Sequence, residues 1–382
     1  MGRLVPLRSA LASAVIVAVL AFLAGSYSTP APATAQTPIR WKVQSAWPPT
    51  SIVQDAAKLL VETIDKTSGG RLKIELSPAG AVVPPFEIQD AVSRGVLDGG
   101  HTTPGYIIGK LKAFIPLTHG PLFGMDFIDY YGWYWEGGGH ELLQEAYQQK
   151  LKMNVVSFQV HPEGPQAMGW FRKEIRTFND IKGQRYRIYA AGAEVYNKLG
   201  IASVTLAGGE IVPALERGVV EAAEFSDPSA DMAIGLHQVR KFYHMPGIHQ
   251  PTGIMELQVH KAKWDALPAD VKAIVRHAAM AEALHYTLKM LDRNSQDLVT
   301  LVNKHGVTVV ETPREVFEEI LKAWDKVAER KAKENAFFGR VLESQKAWAQ
   351  RVVPYRRCCH PPYEFAADYY WKGANPYKIL KP

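Results

Sequence analysis

Three short stretches carry the residues best suited to holding an anion. Gln166-Ala167-Met168-Gly169-Trp170-Phe171-Arg172 leads into a loop. Lys182-Gly183-Gln184-Arg185-Tyr186-Arg187-Ile188 places Arg187 in a short strand. Ala222-Ala223-Glu224-Phe225 ends a strand at Ser226-Asp227-Pro228. Each polar candidate falls at a strand edge or end, where ligands of open α/β sheets collect. An arginine there can grip a carboxylate with two parallel hydrogen bonds. Taken singly, the commoner use of such an arginine is an ordinary surface ion pair. Glu224 alone reads equally as a solvated strand-end carboxylate.

Motifs for bond chemistry are missing. There is no G-x-S-x-G elbow, no P-loop and no H-E-x-x-H zinc motif. Gly137-Gly138-Gly139-His140 lacks the spacing of a dinucleotide site and reads as a turn entering a helix over Glu141–Gln148. The 12 histidines are scattered. His244 and His249 are close in sequence, but spacing alone does not supply metal geometry. Counting residues does not exclude a triad, yet nothing positive supports an enzyme. The only two cysteines, Cys358 and Cys359, are adjacent. Neighbours make a strained disulfide, and with His360 they cannot easily complete a tetrahedral zinc site.

The elements that must position these residues alternate between strand and helix. A strand is expected at Arg40–Ala46 and a helix over Ser51–Thr67, where Val53, Ala56, Ala57, Leu60 and Ile64 recur at helical spacing. Ser68-Gly69-Gly70 ends that helix. Arg71–Leu76 alternates as a half-buried strand, Phe86–Arg94 suits a short helix, and 96–100 returns to the sheet. Further strands are expected at Met153–Gln159, Gly169–Arg172, Tyr186–Tyr189, Ser203–Leu206 and Ala222–Phe225, with helices at Ala193–Leu199 and Glu210–Arg217. This order implies largely parallel sheets and two α/β lobes. After Pro268 an apolar stripe from Val271 to Val302 predicts a helix long enough to cross both lobes. A second helical stretch covers about Glu315–Val352. The tail from Tyr355 to Pro382, rich in Pro and Tyr, should pack on a lobe or on a second subunit.

Arg3 and Arg8 precede an apolar run, Ala10–Ala24, shorter than the roughly 20 residues that span a bilayer. Ala33-Thr34-Ala35 fits a cleavage site, so residues 1–35 read as a signal peptide and the folded part as exported. The 382 residues are 47% hydrophobic and 21% charged, which suits a globular chain of two lobes. The net charge of +6 comes without the dense basic stripe of a nucleic-acid binder. The expected divisions are 36–160 and 161–250 for the two lobes, 251–310 for a crossing segment with the long interlobe helix, and 311–382 for C-terminal helices and tail.

From about Trp41 to the C-terminal helices, the chain resembles the extracytoplasmic solute receptors of tripartite ATP-independent periplasmic (TRAP) transporters, the DctP-type family. Within it, the chain resembles the subgroup binding 2-oxo acids or lactate with a metal ion. The likeness rests on QAMGWFRKEI (166–175), the strand ending in Arg187, GGEIVPAL (208–215), Ala223-Glu224-Phe225 and YHMPGIHQP (243–251). It implies a two-lobed periplasmic-binding-protein-like α/β fold with a C-terminal helical extension. It also implies roles. Arg187 pairs with the substrate carboxylate, Gln166 reaches the ligand or its metal, and Tyr106 contacts the ligand. Glu224 is the acidic metal ligand, with Phe225 supplying a main-chain carbonyl where the family usually has tryptophan. Gln250 stands at a metal position often held by glutamate, so one negative charge is lost and the identity of the ion (Na or Ca), even its presence, is opened. Gly105 replaces a neighbouring aromatic, which implies a roomier or differently shaped pocket. Trp47 reads equally as pocket wall or as core.

The implied function is periplasmic capture of a small 2-oxo or 2-hydroxy monocarboxylate, closed over by the lobes and handed to the small and large membrane subunits. A ligand-binding component of a periplasmic sensor would look the same in sequence, and a periplasmic enzyme is the weaker alternative. The subgroup also implies dimerisation through C-terminal helices, alongside a monomer with a packed tail.

Overall fold

The computed structural model describes residues 37–118, 120–189 and 192–371. The expected leader, its cleavage site and the last residues of the tail lie outside the described residues. Among the described residues, no helix is long and apolar enough to cross a membrane.

Two sheets carry the fold. The first has the order β2-β1-β3-β10-β4, from β1 (Ile39–Ser45), β2 (Leu72–Ser77), β3 (Gly99–Thr102), β4 (Val155–Glu163) and β10 (Gly253–His260). The second has the order β11-β9-β5-β8-β6-β7, from β5 (Gly169–Phe171), β6 (Arg185–Arg187), β7 (Ala202–Val204), β8 (Ala222–Ala223), β9 (Phe242–Met245) and β11 (Thr308–Glu311).

Local chemistry sets the first crossover. Ser51 caps the helix Ile52–Thr67 by accepting from the Val53 N–H. Val53, Ala56, Ala57, Leu60 and Ile64 are buried, and Gly69 and Gly70 then take positive φ to turn the chain into β2. β1 runs parallel to both β2 and β3, as strand–helix–strand order requires.

The sheets are nevertheless mixed, which corrects the largely parallel expectation. β10 is antiparallel to β3 and β4, and β5 is antiparallel to β8 and β9. β10, which the chain enters on returning from the second sheet, is the strand that runs against its neighbours β3 and β4. The segments 242–245, 253–260 and 308–311 also become strands that local pattern did not mark. In β10 the reason is clear: Gly253–Val259 is buried throughout, Glu256 and Gln258 included, so no alternation survives. Glu256 is accommodated by hydrogen bonds from Tyr147 Oη at 2.7 Å and Ser157 Oγ at 2.5 Å.

The helix Ala269–Asn303 has 35 residues and spans about 52 Å at 1.5 Å per residue. It packs on β4, on Ile52–Thr67 and on the helix Pro228–Ala233, so it touches the layers of both sheets. Its stripe is only partly buried: Val271, Val275, Ala278 and Leu301 lie inside, whereas Leu284, Leu288 and Leu291 are exposed.

The helical stretch expected over 315–352 is two helices, Arg314–Glu334 and Ala336–Cys359. Asn335 breaks them with extended backbone and caps the second by accepting from the Phe338 N–H at 3.0 Å. Trp348 Nε1 donates to the Asp129 carbonyl at 2.9 Å, which docks the second helix on the helix Phe127–Glu136. Cys358 and Cys359 are free and exposed at its end. The tail does not fold back as far as it is described: Tyr363, Phe365, Tyr369, Tyr370 and Trp371 are all exposed.

Candidate functional site

The second sheet brings the anion-holding candidates to one edge. β6 and β8 are adjacent and parallel, with Arg187 paired in register to Ala223. Glu224 is the next residue, and its N–H donates to the Arg187 carbonyl at 3.2 Å. β5 runs the other way, so its entry loop, which carries Gln166, sits where β8 ends. There the Ala167 N–H donates to the Ser226 carbonyl at 3.1 Å. β9 ends on the same side and leads to Gln250, whose carbonyl accepts from the Gln166 N–H at 3.1 Å. Antiparallel β5 is therefore what joins Gln166 and Gln250 to Arg187 and Glu224.

Glycines set the spacing. Gly169 has φ +135°, and a Cβ there would lie 2.6 Å from Tyr186 Oη and 2.7 Å from the Ala223 carbonyl oxygen. Gly208 faces the Phe225 ring, which a Cβ would meet at 2.7 Å.

Arg187 and Glu224 form a buried ion pair, with 3% and 0% of their side chains exposed. Arg187 Nη1 donates to Glu224 Oε1 at 2.9 Å and to the Glu224 carbonyl at 2.7 Å. Nε and Nη2 both donate to the Leu206 carbonyl, at 3.2 and 2.9 Å. Among the described residues these four bonds leave one N–H, on Nη2, for a ligand. The guanidinium carbon lies 5.9 Å from the Phe225 ring centre.

Glu224 is asymmetric. Oε1 accepts from Arg187 and from the Tyr189 N–H, at 2.5 Å. Oε2 is buried without a hydrogen-bond partner among the described residues. Burial raises its carboxyl above the ordinary range, opposed by the Arg187 charge and the Tyr189 N–H. Such an orphan carboxylate oxygen is a costly feature unless a cation or donor is meant to meet it.

Gln166 is held at both ends. Its Nε2 donates to the Phe225 carbonyl at 2.6 Å, and its Oε1 lies 3.1 Å from His249 Nε2. Burial, then the nearby Arg187 charge, lowers His249 to about 4, so the ring is neutral at pH 7. Behind the turn, Asp231 accepts from Trp170 Nε1 at 2.7 Å and from the Ser226 N–H at 2.8 Å, fixing the path after Phe225.

Glu224 brings a carboxylate, Phe225 a main-chain carbonyl and Gln166 a side-chain amide to one place, oxygens of the hard kind that sodium or calcium takes, and the Gln250 main chain adjoins them. Among the described residues no group of three or more His, Cys, Asp or Glu could hold a metal, so a zinc-type site is not formed. His244 does not join His249. Its Nε2 accepts from the Ile175 N–H at 3.0 Å. The Gly137–Gly139 run is the turn expected, with Gly138 at φ +88°.

The first lobe supplies aromatic rings. Trp47 is buried, 6.3 Å between ring centres from Tyr106, which lies 4.5 Å from Phe86 and 5.9 Å from Tyr189. The space beside Gly105 is filled by Tyr189 from the second lobe, so of a roomier or a differently shaped pocket the second describes it. Tyr189, expected as the last residue of a strand and not as a site residue, is the residue that closes this side. It lies beyond the end of β6, and no local signal announces that its ring crosses to the other lobe. A neighbouring cavity of about 1030 Å³ is not this site. It is an apolar groove along the long helix, lined by residues such as Phe127, Ile248, Met290, Leu291 and Trp324, without Arg187 or Glu224.

Residues 43–335 match the family described as bacterial extracellular solute-binding protein, family 7 (DctP). A monocarboxylate 2-oxoacid-binding periplasmic protein from Nostoc is 32% identical over 326 residues, 85% of this chain and 88% of that protein. A TRAP transporter solute-binding protein from Bordetella bronchiseptica superposes with a TM-score of 0.81 at 28% identity, covering 88% of this chain and 98% of that one. It was solved as a mixed-occupancy dimer, with calcium and picolinate in one site and the other site apo. A TRAP periplasmic solute-binding protein from Pseudoalteromonas atlantica, with bound sodium and pyruvate, gives 0.79 at 29% identity, covering 89% of this chain and all of that one.

Proposed function

The chain belongs to the family 7 bacterial extracellular solute-binding proteins, and from that premise we propose that it is a TRAP receptor capturing a small 2-oxo monocarboxylate together with a hard cation. The observation that carries this reading is the buried Arg187–Glu224 pair, with one glutamate oxygen unpartnered among the described residues.

In this reading the remaining Nη2–H of Arg187 takes the ligand carboxylate, in a site where burial strengthens a charge-assisted bond. Glu224 Oε2, the Phe225 carbonyl, Gln166 and Gln250 hold the cation. When bound, the cation supplies positive charge to a carboxylate and an adjacent 2-oxo or 2-hydroxy oxygen. Gln250 in place of a carboxylate lowers the site's negative charge and with it the affinity for a divalent ion. Tyr106 and Trp47 close the apolar side of the ligand. The work is binding and not bond chemistry, because ligand contacts from both lobes favour the closed form.

Residues 1–35 are a leader removed on export, and the mature chain works in the periplasm. The lobes divide near residue 160, with 251–310 linking them and 311–382 forming the helical extension. The membrane subunits of the transporter are its partners, and a second copy is another. Exposed Leu284, Leu288 and Leu291 on the long helix and the exposed aromatics of Tyr363–Tyr370 are apolar surfaces that a dimer would cover.

Native mass spectrometry of the purified protein tests the whole reading. A bound organic acid, a calcium or sodium adduct and a dimer mass are expected. Calorimetric titration with pyruvate, with and without added calcium after chelation, is the second arm; absence of binding in both would sink the proposal.

A further inference from the structure

Tyr189 lies in the loop after β6, in the second lobe, and its hydroxyl makes a 2.9 Å hydrogen bond with Thr103 Oγ1 in the loop after β3, in the first. Both residues are buried. Thr103 is itself fixed: it caps the turn Pro104–Ile107 by accepting from the Gly105 N–H, and its carbonyl accepts from Gln89 Nε2 at 2.7 Å. The ring of Tyr189 reaches Thr103 by passing over Gly105. A Cβ at position 105 would lie 1.7 Å from Tyr189 Oη and 2.3 Å from its Cζ, distances no packing tolerates. Any residue other than glycine at 105 must therefore displace the tyrosine. The Tyr189 main chain donates to Glu224 Oε1, and its ring stands 5.9 Å from that of Tyr106. The side chain also lines a small crevice with His249 and Gln250. One residue thus touches the cation-facing carboxylate, the aromatic side of the cleft and the opposite lobe.

We infer that Tyr189, admitted by Gly105 and tied to Thr103, is the specificity-determining wall that limits this receptor to short-chain acids. The inference rests on the 2-oxo acid reading above and deepens it. The ring occupies volume that the tail of a longer acid would need. Because the wall comes from one lobe and its anchor from the other, it is complete only when the lobes are closed, so a ligand whose tail pushes on Tyr189 opposes closure itself.

The test compares calorimetric affinities for pyruvate and for the branched 4-methyl-2-oxopentanoate. In Tyr189→Ala the ratio should move toward the branched acid by about tenfold or more, the scale of one or two buried methylenes. Tyr189→Phe keeps the wall and loses the tie, so both affinities should fall about fivefold with the ratio unchanged. Gly105→Ala expels the ring by a different route and should shift the ratio in the same direction as Tyr189→Ala. An unchanged ratio in Tyr189→Ala and Gly105→Ala, with both acids still bound, overturns this inference and leaves the carboxylate reading standing. Failure of the wild-type protein to bind either acid overturns both.

Discussion

Glu224 holds Arg187 twice, through its carboxylate at 2.9 Å and through its own main-chain carbonyl at 2.7 Å. The double grip follows from strand register, since Arg187 pairs with Ala223 and Glu224 is the first residue past the pairing. It fixes the guanidinium plane before any ligand arrives, so little side-chain entropy remains to be lost on binding.

Arg187→Ala should abolish tight binding of monocarboxylates and also destabilise the fold. Removing one partner of a buried pair leaves an uncompensated charge and costs about 3–5 kcal/mol. Denaturant titration and calorimetry separate the two effects. The double variant Arg187→Ala/Glu224→Gln should recover part of the stability and none of the binding.

Glu224→Gln keeps the shape and removes the charge. Affinity for pyruvate should then stop depending on added calcium, while the wild-type protein should lose affinity after chelation. A titration that responds to calcium equally in both proteins would contradict the assignment of Glu224 as a cation ligand.

Gly169→Ala should be strongly destabilising, because the position packs directly on the strand that leads into Glu224. The new Cβ meets Tyr186 Oη and the Ala223 carbonyl at 2.6 and 2.7 Å, and the φ of +135° disfavours a side chain in any case. Separation of β5 from β8 would follow, with a loss of about 3 kcal/mol or more in urea unfolding.

Glu256 supplies a pH signature remote from the site. Burial pushes its carboxyl up to about 7 from an unfolded value of 4.5. A raised folded pKa means the native state binds the proton more tightly. Its contribution is complete below 4.5 and is lost as pH rises through 7. Stability should therefore fall by about 3 kcal/mol across that window, and Glu256→Gln should flatten this part of the profile. Thermal melts from pH 4.5 to 8 read the difference.

Much of this was legible beforehand because local rules operate locally. The apolar spacing from Val53 to Ile64 and the run Ser68-Gly69-Gly70 announce a helix and its end. Arg187 and Glu224 sit at strand ends as their flanking patterns indicate. β10 was hidden because burial on all sides removes the alternation that marks a half-exposed strand, and Glu256 and Gln258 look out of place until Tyr147 and Ser157 are beside them. The break at Asn335 was hidden because the apolar stripe continues across it at helical spacing, while the capping side chain interrupts only the backbone.

Residue order carries the inventory: which segments are amphipathic, where each turns, and that the polar candidates fall where strands end. Tertiary structure decided who meets whom. Strand neighbours are chosen by contacts distant in sequence, so local periodicity carries no record that β8 lies beside β6 or that β5 runs backwards between β8 and β9. Nor does it record that an absent Cβ at Gly105 is the seat of a ring from the other lobe, because that fit exists only between two surfaces already folded.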